Sequence, residues 1–455
     1  MNTHADSCLG RREFTEWALR LALPIMIQNL ISTLVSSADT VMLGYVSQTA
    51  MSASSLANQY TFVLQCIYYG LVTGTSVLAS QYWGKHDTTT IEKVTAIAFR
   101  WALLFSVLFA AAAFFCPTAI MRFFTASEET VAAGAEYLKV LSISFIFMAF
   151  SQVYLSTLRS VEFVVFPTVT YIVSLCVNIL LNATFIFGLF GMPRLGIVGV
   201  AIGTVSARIV EALMCIIHSC TCRLIKFRVR YVFIKASLLG HDFLKVSLPA
   251  IGNDLIWGLA ASMFSVIMGH MGDDMVAANA VAVMIVDIGA IACRGFANAT
   301  TIIIGKTLGE ENREATRVYS HRMLLITVLV SLAGCVVIVA LRPFILSFYA
   351  DKLTSTALSY ISAMMFMTTW RLVGEGINTC LICGCFRGGG DTRFGMIIDT
   401  VFMWCVALPL MAAAAYVFRL PAMWVYFVMT LDEFEKMPVV VAHYRKYKWM
   451  NTITR

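Results

Sequence analysis

Long apolar stretches with few charged residues recur along almost the entire chain. The segment 94–116, for example, contains a single charged residue, Arg100. A helix needs roughly 20 apolar residues to cross the hydrocarbon core of a bilayer. Charged residues make up 13% of the 455 residues, about half of the share that is usual in soluble domains. The apolar stretches therefore predict a chain that crosses a lipid bilayer many times.

The pattern within these stretches distinguishes between the two folds that can span a membrane. In lipid, only α-helices and closed β-barrels satisfy every backbone hydrogen bond. Barrel strands alternate apolar and polar residues, whereas these stretches are continuously apolar, as spanning helices are. We predict an all-α polytopic membrane protein with twelve transmembrane helices. They lie near residues 17–44, 53–82, 94–116, 134–158, 164–190, 196–220, 244–269, 276–305, 320–341, 355–384, 394–417 and 421–442.

The Lys and Arg residues indicate how these helices are oriented. If the N-terminus is cytoplasmic and the spans alternate, 21 of the 33 Lys and Arg residues fall on the cytoplasmic side and 5 on the other. Cytoplasmic loops of membrane proteins carry such an excess. We therefore expect both termini in the cytoplasm, with no cleaved signal peptide. The same asymmetry explains the net charge of +7, so nucleic acid is not an expected partner.

The two halves of the chain repeat the same landmarks. One constant offset in sequence number superposes Pro24 on Pro249, Gly44 on Gly269, Gly70 on Gly295, and Gly84 on Gly309. Matches in this order indicate an internal duplication. We predict two pseudo-symmetric lobes of six helices, residues 1–221 and 243–455, joined by a basic cytoplasmic linker at 222–242. Many transporters have their sites between or within such repeats.

Four polar side chains are predicted at similar depth in the N-terminal half. Asn178 and Asn182 are four residues apart and share one helix face. Together with Asp39 and Thr204 they supply one carboxylate with amide and hydroxyl oxygens, a set that suits Na⁺, while Asp39 alone suits a proton. We predict that these four residues bind the coupling cation. The alternative is that the asparagines only form interhelical hydrogen bonds that stabilise the bundle.

The C-terminal half places more charge within its predicted spans. Asp254, Asp287, Glu375 and Asp399 are ionisable groups that are unfavourable in lipid, so each requires a partner or a function. With Trp257, whose ring face can bind a flat cation, they are candidates for binding substrate or a proton. The alternative for each carboxylate is a structural ion pair with an arginine.

Several short motifs resemble those of the multidrug and toxic compound extrusion (MATE) transporters, and they occur along nearly the whole chain. In order, they are Leu23-Pro24, Asp39-Thr40-Val41-Met42-Leu43-Gly44, Gln81-Tyr82-Trp83-Gly84, Asn178-Ile-Leu-Leu-Asn182, Gly305-Lys306-Thr307-Leu308-Gly309 and Phe386-Arg387-Gly388-Gly389-Gly390-Asp391-Thr392-Arg393. The combination of Asn253, Asp254 and Trp257 looks like that of a firmicute-type branch.

This resemblance implies two six-helix lobes around a central cleft that opens alternately to the two sides of a bacterial cytoplasmic membrane. It implies secondary active antiport, in which cationic or amphipathic small organic molecules are exported in exchange for Na⁺ or H⁺, without a cofactor. It also implies that the cation site of the N-terminal lobe comprises Asp39, Asn178, Asn182 and Thr204. Some members carry a second carboxylate where this chain has Asn182, so proton-only coupling is a specific alternative.

Two other functions fit parts of the sequence. A lipid-linked oligosaccharide flippase of the same superfamily would have similar spans but usually a basic cavity, whereas the buried charge here is mixed. A membrane channel or receptor would show no coupled counter-ion flux. The sequence contains no Gly-x-x-x-x-Gly-Lys-Ser/Thr phosphate-binding loop and no evident nucleophile–base pair. We therefore expect that the protein is not an enzyme. We also expect it to be a monomer and to bind no metal other than Na⁺.

Overall fold

The computed structural model describes residues 8–222, 224–233, 237–350 and 353–454, and these are almost entirely helical. The helices are α1 Arg11–Gly44, α2 Gln48–Gly84, α3 Thr88–Phe115, α4 Pro117–Phe124, α5 Glu128–Ser160, α6 Val165–Phe187, α7 Gly196–Thr221, α8 Val229–Val232, α9 Ser237–Gly269, α10 Asp273–Gly309, α11 Arg313–Tyr349, α12 Ser355–Asn378, α13 Thr392–Thr400, α14 Leu408–Ala412, α15 Ala422–Thr430, α16 Asp432–Glu435 and α17 Met437–Arg445. Three π-helical segments, Thr379–Phe386, Val401–Ala407 and Ala413–Val417, interrupt the C-terminal part. The predicted all-α fold is confirmed.

Ten helical stretches of the described chain are long and apolar enough to cross a membrane. Two further segments match the remaining predicted spans: α12 with the π-helical segment that follows it, and α15 to α17. The first is less apolar because it carries Arg371 and Glu375. The second is divided into short helices, and α16 contains Asp432, Glu433 and Glu435. The twelve-helix membrane fold is therefore built from ten strongly apolar spans and two charged ones.

The internal duplication is visible in the turns that follow α2 and α10. His86 and Glu311, which are equivalent under the offset that relates the two halves, both adopt a left-handed backbone conformation, with φ of 59° and 60°. Asp87 and Asn312 then cap the next helix, since each accepts a hydrogen bond from a backbone N–H three residues further on. Side-chain caps of this kind satisfy N–H groups that have no partner within the helix. The chain therefore reverses direction through the same type of turn in both halves.

The described chain separates into two compact units. One comprises residues 1–26 and 252–455, and the other comprises residues 27–251. The two boundaries lie within α1 and α9, shortly after the prolines inside those helices, Pro24 and Pro249. The division at the linker 222–242, of which residues 223 and 234–236 lie outside the described residues, stays a prediction.

Each unit contains an equivalent close contact between a glycine of one helix and a residue of another helix. In the unit 27–251, Gly70 of α2 lies against Ile251 of α9, and in the other unit Gly295 of α10 lies against Met26 of α1. Any side chain at either glycine would overlap its neighbour. Since the same offset relates both the glycines and their partners, the duplicated glycines have the same packing role in the two units.

Candidate functional site

Asp39, Asn178, Asn182 and Thr204 form a continuous chain of hydrogen bonds in the unit 27–251. Asn182 Nδ2 donates to Asp39 Oδ1 at 2.5 Å and to Asn178 Oδ1 at 3.3 Å. Asn178 Nδ2 donates in turn to Thr204 Oγ1 at 3.2 Å. Asp39, Asn178 and Asn182 are all buried. The structure thus brings together the four residues that the sequence singled out, from α1, α6 and α7.

The positions of these side chains follow from the hairpin of α6 and α7. Gly188 ends α6 in a left-handed conformation, with φ of 72°. The chain then returns so that Leu195 N donates to Phe185 O at 2.9 Å. Gly203 of α7 lies directly against Asn182 Oδ1, and a Cβ there would overlap that oxygen. The close approach of α7 to the Asn182 amide therefore depends on glycine at this position.

The oxygen atoms of this cluster suit a hard monovalent cation. Asp39 supplies a carboxylate, Thr204 a hydroxyl, and the asparagines two amide oxygens, which are the ligand types that hard cations prefer. Asn182 Oδ1 is buried and has no hydrogen-bond partner. A buried acceptor without a donor is unfavourable, and a cation at Asp39 would satisfy it once the amide had turned this oxygen toward the carboxylate. The donor set therefore fits Na⁺, and the Asp39 carboxylate can equally accept a proton.

A buried ion pair lies next to this cluster on α7. Arg208 donates to Glu211 Oε2 at 2.7 Å, and Ser174 Oγ donates to the same oxygen at 3.4 Å. The Glu211 side chain is fully buried, whereas 22% of the Arg208 side chain is exposed. Arg208 lines a small pocket together with Asn178 and Thr204. The pair places a compensated cation beside the polar cluster.

In the other unit, the charged candidates form a second network. Arg387 donates to Asp254 Oδ1 at 2.9 Å and to Asn253 Oδ1 at 2.8 Å. Asn253 Nδ2 donates to Asp399 Oδ2 at 2.8 Å. The network joins α9, the end of the π-helical segment Thr379–Phe386, and α13. Asp254 is therefore in an ion pair, and its partner is an arginine from the loop of the MATE-like motif.

Lys436 continues this network and was not among the predicted site residues. Its Nζ lies 3.2 Å from Asp399 Oδ1, 3.2 Å from Glu433 Oε2 and 4.0 Å from Asp432 Oδ2. Asn378 Nδ2 donates to Glu433 Oε2 at 2.8 Å. The lysine and its three carboxylates are all buried. A sequence signal existed, because Lys436 lies three and four residues after two acidic residues within the predicted span 421–442.

Among the remaining predicted residues, Glu375 interacts electrostatically with Arg371 and with Glu433 of this network. Asp287 pairs with Arg294 at 2.9 Å, and about half of each side chain is exposed. Glu375 Oε2 is buried without a hydrogen-bond partner. Trp257 is 40% exposed on α9. Among the described residues, no group of three or more His, Cys, Asp or Glu side chains is arranged to hold a metal ion.

Comparison with known proteins gives a consistent family. The MatE family model matches residues 24–184 and 249–413, one match in each half. The uncharacterized transporter YisQ of Bacillus subtilis is 23% identical over 437 residues, with 94% of each chain covered. A probable multidrug resistance protein, NorM of Thermotoga maritima, is 23% identical, with 96% of this chain and 93% of the relative covered.

Solved structures show the same fold. A crystal structure of MATE in the straight conformation superposes with a TM-score of 0.87 at 20% identity, with 95% of this chain and 96% of that chain covered. A MOP superfamily transporter from Pyrococcus furiosus superposes with a TM-score of 0.86 at 21% identity, with 95% of both chains covered. At these identities the structural likeness establishes the fold alone.

Proposed function

The chain belongs to the MatE family, and from this premise we propose that it is a secondary active antiporter. It exports cationic or amphipathic small organic molecules in exchange for Na⁺ or H⁺. The multidrug resistance proteins among its relatives support export of small molecules. The observation that carries the proposal is the buried cluster of Asp39, Asn178, Asn182 and Thr204.

The coupling step would take place at Asp39. Without a cation, the carboxylate is stabilised by the Asn182 amide N–H at 2.5 Å. Binding of Na⁺ or a proton neutralises the carboxylate and leaves that amide free to turn its unpaired oxygen toward the cation. The change alters the charge and hydrogen bonding among α1, α6 and α7. A cation shifts the equilibrium between two conformations only to the extent that it binds one of them more tightly than the other. The cluster must therefore bind the cation with different affinities in the two conformations.

The C-terminal candidates would bind substrate or a proton only after exchanging a partner. Asp254 is held by Arg387, and Asp287 by Arg294. A cationic substrate would have to displace the guanidinium group before it could contact either carboxylate. Glu375 is likewise close to a cation, Arg371, although its Oε2 has no hydrogen-bond partner. Trp257, which is 40% exposed, needs no such exchange. Asp399 is held by Lys436 and Asn253, so a substrate would have to displace these partners as well.

The membrane location, topology and oligomeric state are proposed from the sequence. We propose that the protein resides in the bacterial cytoplasmic membrane as a monomer with both termini in the cytoplasm. It acts as a carrier rather than an enzyme and requires no cofactor beyond the coupling ion. The proposed lobes are residues 1–221 and 243–455, with the linker 222–242 on the cytoplasmic side.

The test is transport of a fluorescent organic cation in proteoliposomes under Na⁺ and pH gradients that are imposed separately. The wild-type protein should transport under at least one gradient, and that gradient identifies the coupling ion. Asp39→Asn should reduce transport to the rate seen without a gradient, because the amide can bind neither a proton nor Na⁺ strongly. Glu128→Gln is the matched control, since Glu128 is an exposed carboxylate that pairs with Arg122.

Two outcomes would reject the proposal. Full gradient-driven transport by Asp39→Asn would remove Asp39 from the coupling mechanism. Transport of the cation that neither gradient accelerates would instead favour a channel. Both readings require that the Asp39→Asn and Glu128→Gln proteins reconstitute in equal amounts.

A further inference from the structure

The segment that follows α7 is rich in basic residues and contains no acidic ones. Between Glu211 and Asp242 the sequence has no Asp or Glu, but it has five Lys and Arg residues, namely Arg223, Lys226, Arg228, Arg230 and Lys235. The structure describes residues 224–233 of this stretch. Basic clusters directly next to a spanning helix are typical of contact with anionic lipid headgroups. A solvated loop can carry the same charges, so the distinction depends on how the segment is held.

Contacts with α3 and α7 fix this segment in place. The backbone N–H of Phe227 donates to Ser219 Oγ at 2.9 Å, and that of Lys226 donates to Glu92 Oε1 at 3.1 Å. The Phe227 ring packs edge-on against Phe99 of α3, with centroids 5.2 Å apart. Ser219 is close to the end of α7 and Glu92 is close to the start of α3. Since both helices are apolar enough to cross the membrane, the segment is held where their ends reach the membrane surface.

The positive charge of this segment is only partly compensated within the protein. Arg228 pairs with Glu92 at 2.9 Å, and its guanidinium group lies 5.8 Å from the centre of the Tyr231 ring. The Arg230 guanidinium group lies 5.3 Å from the same ring centre. Lys226 and Arg230 are exposed, and neither forms an ion pair with any residue that the structure describes. Two positive charges are therefore available to an anionic ligand.

Large apolar side chains of the same segment are also exposed. Val229 and Phe233 are 63% and 81% exposed, whereas Ile225 and Tyr231 are buried. Val229 and Phe233 are four residues apart, in and directly after the short helix α8, so they share one face. Exposed aromatic groups beside basic residues are typical of segments that lie in the membrane interface. The combination favours a lipid over water or a free anion as the partner.

We propose that the segment 224–233 is a binding site for an anionic phospholipid. Lys226 and Arg230 contact the phosphate of its headgroup, because ammonium and guanidinium groups form charge-assisted hydrogen bonds with phosphate oxygens. Val229 and Phe233 contact the acyl chains next to that headgroup. A phospholipid supplies both the negative charge and the apolar surface that the segment lacks. The contact would attach the linker between the two halves of the chain to the membrane surface.

Native mass spectrometry of the purified full-length protein tests the proposal by titration with phosphatidylglycerol, with zwitterionic phosphatidylcholine as the comparison lipid. Combining Lys226→Gln with Arg230→Gln should raise the apparent Kd of the most tightly bound phosphatidylglycerol by about tenfold or more, since two basic residues are lost. Arg122→Gln is the matched control and should bind like the wild type. Arg122 is also an exposed arginine next to an exposed aromatic residue, Phe123, but it pairs with Glu128.

Further variants separate the charge from the local structure and the lipid from a free anion. Combining Lys226→Arg with Arg230→Lys keeps both charges and should retain the wild-type affinity. Lys226→Gln alone should give a smaller loss than the double substitution. Phe233→Ser should also weaken phosphatidylglycerol binding, because it removes the apolar contact. Inorganic phosphate at millimolar concentration should not displace the lipid.

Four results would each overturn the proposal. These are unchanged phosphatidylglycerol affinity in the neutral variants, equal affinity for phosphatidylcholine, an equal loss in the charge-preserving variant, and displacement by inorganic phosphate. The last result would identify a site for free anions instead of a lipid site. Binding is measured without transport, so a failure of antiport at Asp39 would leave this inference untouched.

Discussion

At the scale of single residues, the orientation of Asn182 determines what the cluster at Asp39 can bind. Its amide nitrogen faces the carboxylate, and its oxygen faces Gly203 with no hydrogen-bond partner. If the amide is to rotate when a cation arrives, the space next to Gly203 must accommodate either end of the group. A glycine at this position is therefore part of the proposed coupling mechanism, although it binds nothing itself.

We predict that Gly203→Ala abolishes gradient-driven transport while the protein still folds. The new methyl group would overlap Asn182 Oδ1 and push the amide away from Asp39. Overpacking of this kind typically costs about 1–3 kcal/mol, which a folded transporter can tolerate. Transport of a fluorescent cation in proteoliposomes measures the loss, and the unfolding temperature measures the cost in stability.

Gly269→Ala is the matched control for this substitution. It also lies in a helix, but a Cβ there would meet nothing within 4 Å. Gly269→Ala should transport at the wild-type rate. Normal transport by Gly203→Ala would show that the position of the Asn182 amide is unimportant for coupling.

The sequence predicted part of this residue-scale picture and missed the rest for a physical reason. Asn178 and Asn182 could be placed on one face because helical periodicity alone relates residues four apart. Lys436 and Asp399 are 37 residues apart and in different segments, and their pairing depends on how those segments pack. The family motif supplied the link to Asp39, whereas nothing in the motifs drew attention to Lys436.

At the scale of elements, the π-helical segment Thr379–Phe386 explains why the second network could not be derived from periodicity. A π-helical turn contains more residues than an α-helical one and rotates all that follows relative to the α-helical register. The segment ends immediately before Arg387, which reaches Asp254 and Asn253 on α9. An unbroken α-helix of the same sequence would direct this arginine elsewhere. The apolar pattern correctly located the span but contained no sign of the shift.

The loop after this π-helical segment is covered by the C-terminal segment of the chain. Trp449 is fully buried and its ring stacks on Tyr444, with centroids 6.0 Å apart. The backbone N–H of Asn451 donates to Gly389 O at 3.1 Å. Gly389 lies so close to Trp449 that a side chain there would overlap the tryptophan. The C-terminal segment therefore fixes the loop that begins with Arg387.

We predict that Trp449→Ala destabilises the protein by about 3–5 kcal/mol, the cost usual for truncating a buried aromatic side chain. Thermal or denaturant unfolding of the purified protein would measure the effect. Trp424→Ala is the control, because Trp424 is 59% exposed and its loss should change the unfolding temperature little. Equal effects of the two substitutions would contradict the proposed support of the loop by the C-terminal segment.

At the scale of the whole molecule, the duplication predicted from glycines and prolines proved more informative than any single motif. The same constant offset relates the left-handed turn residues His86 and Glu311 and the contacts of Gly70 and Gly295. The duplicated scaffold nevertheless carries different chemistry in its two units. One unit holds the Asp39 carboxylate among neutral oxygens, next to the Arg208–Glu211 pair. The other holds a network in which Arg387 and Lys436 pair with Asp254 and Asp399. The packing glycines thus recur in both units, whereas the polar side chains differ.

The charges of the loops predict how the molecule is oriented in the membrane. The excess of Lys and Arg in alternate loops would oppose transfer of those loops across the membrane. We therefore expect green fluorescent protein fused after Arg455 to fluoresce in bacterial cells, and alkaline phosphatase fused there to be inactive. Phosphatase inserted in the short turn between α6 and α7, at Arg194, should be active because that turn is predicted on the opposite side.

The two fusion sites serve as controls for each other, since they test opposite sides of the same protein. The two reporters give opposite results only if an odd number of spans separates Arg194 from the C-terminus. Arg194 follows the fifth of the twelve predicted spans, so seven spans lie between the two fusion sites. Phosphatase activity at both sites would mean that one of the charged segments, α12 or α15 to α17, does not cross the membrane. If that segment were α15 to α17, the ion pairs of Lys436 would lie outside the bilayer, where neutralising the lysine would change stability far less.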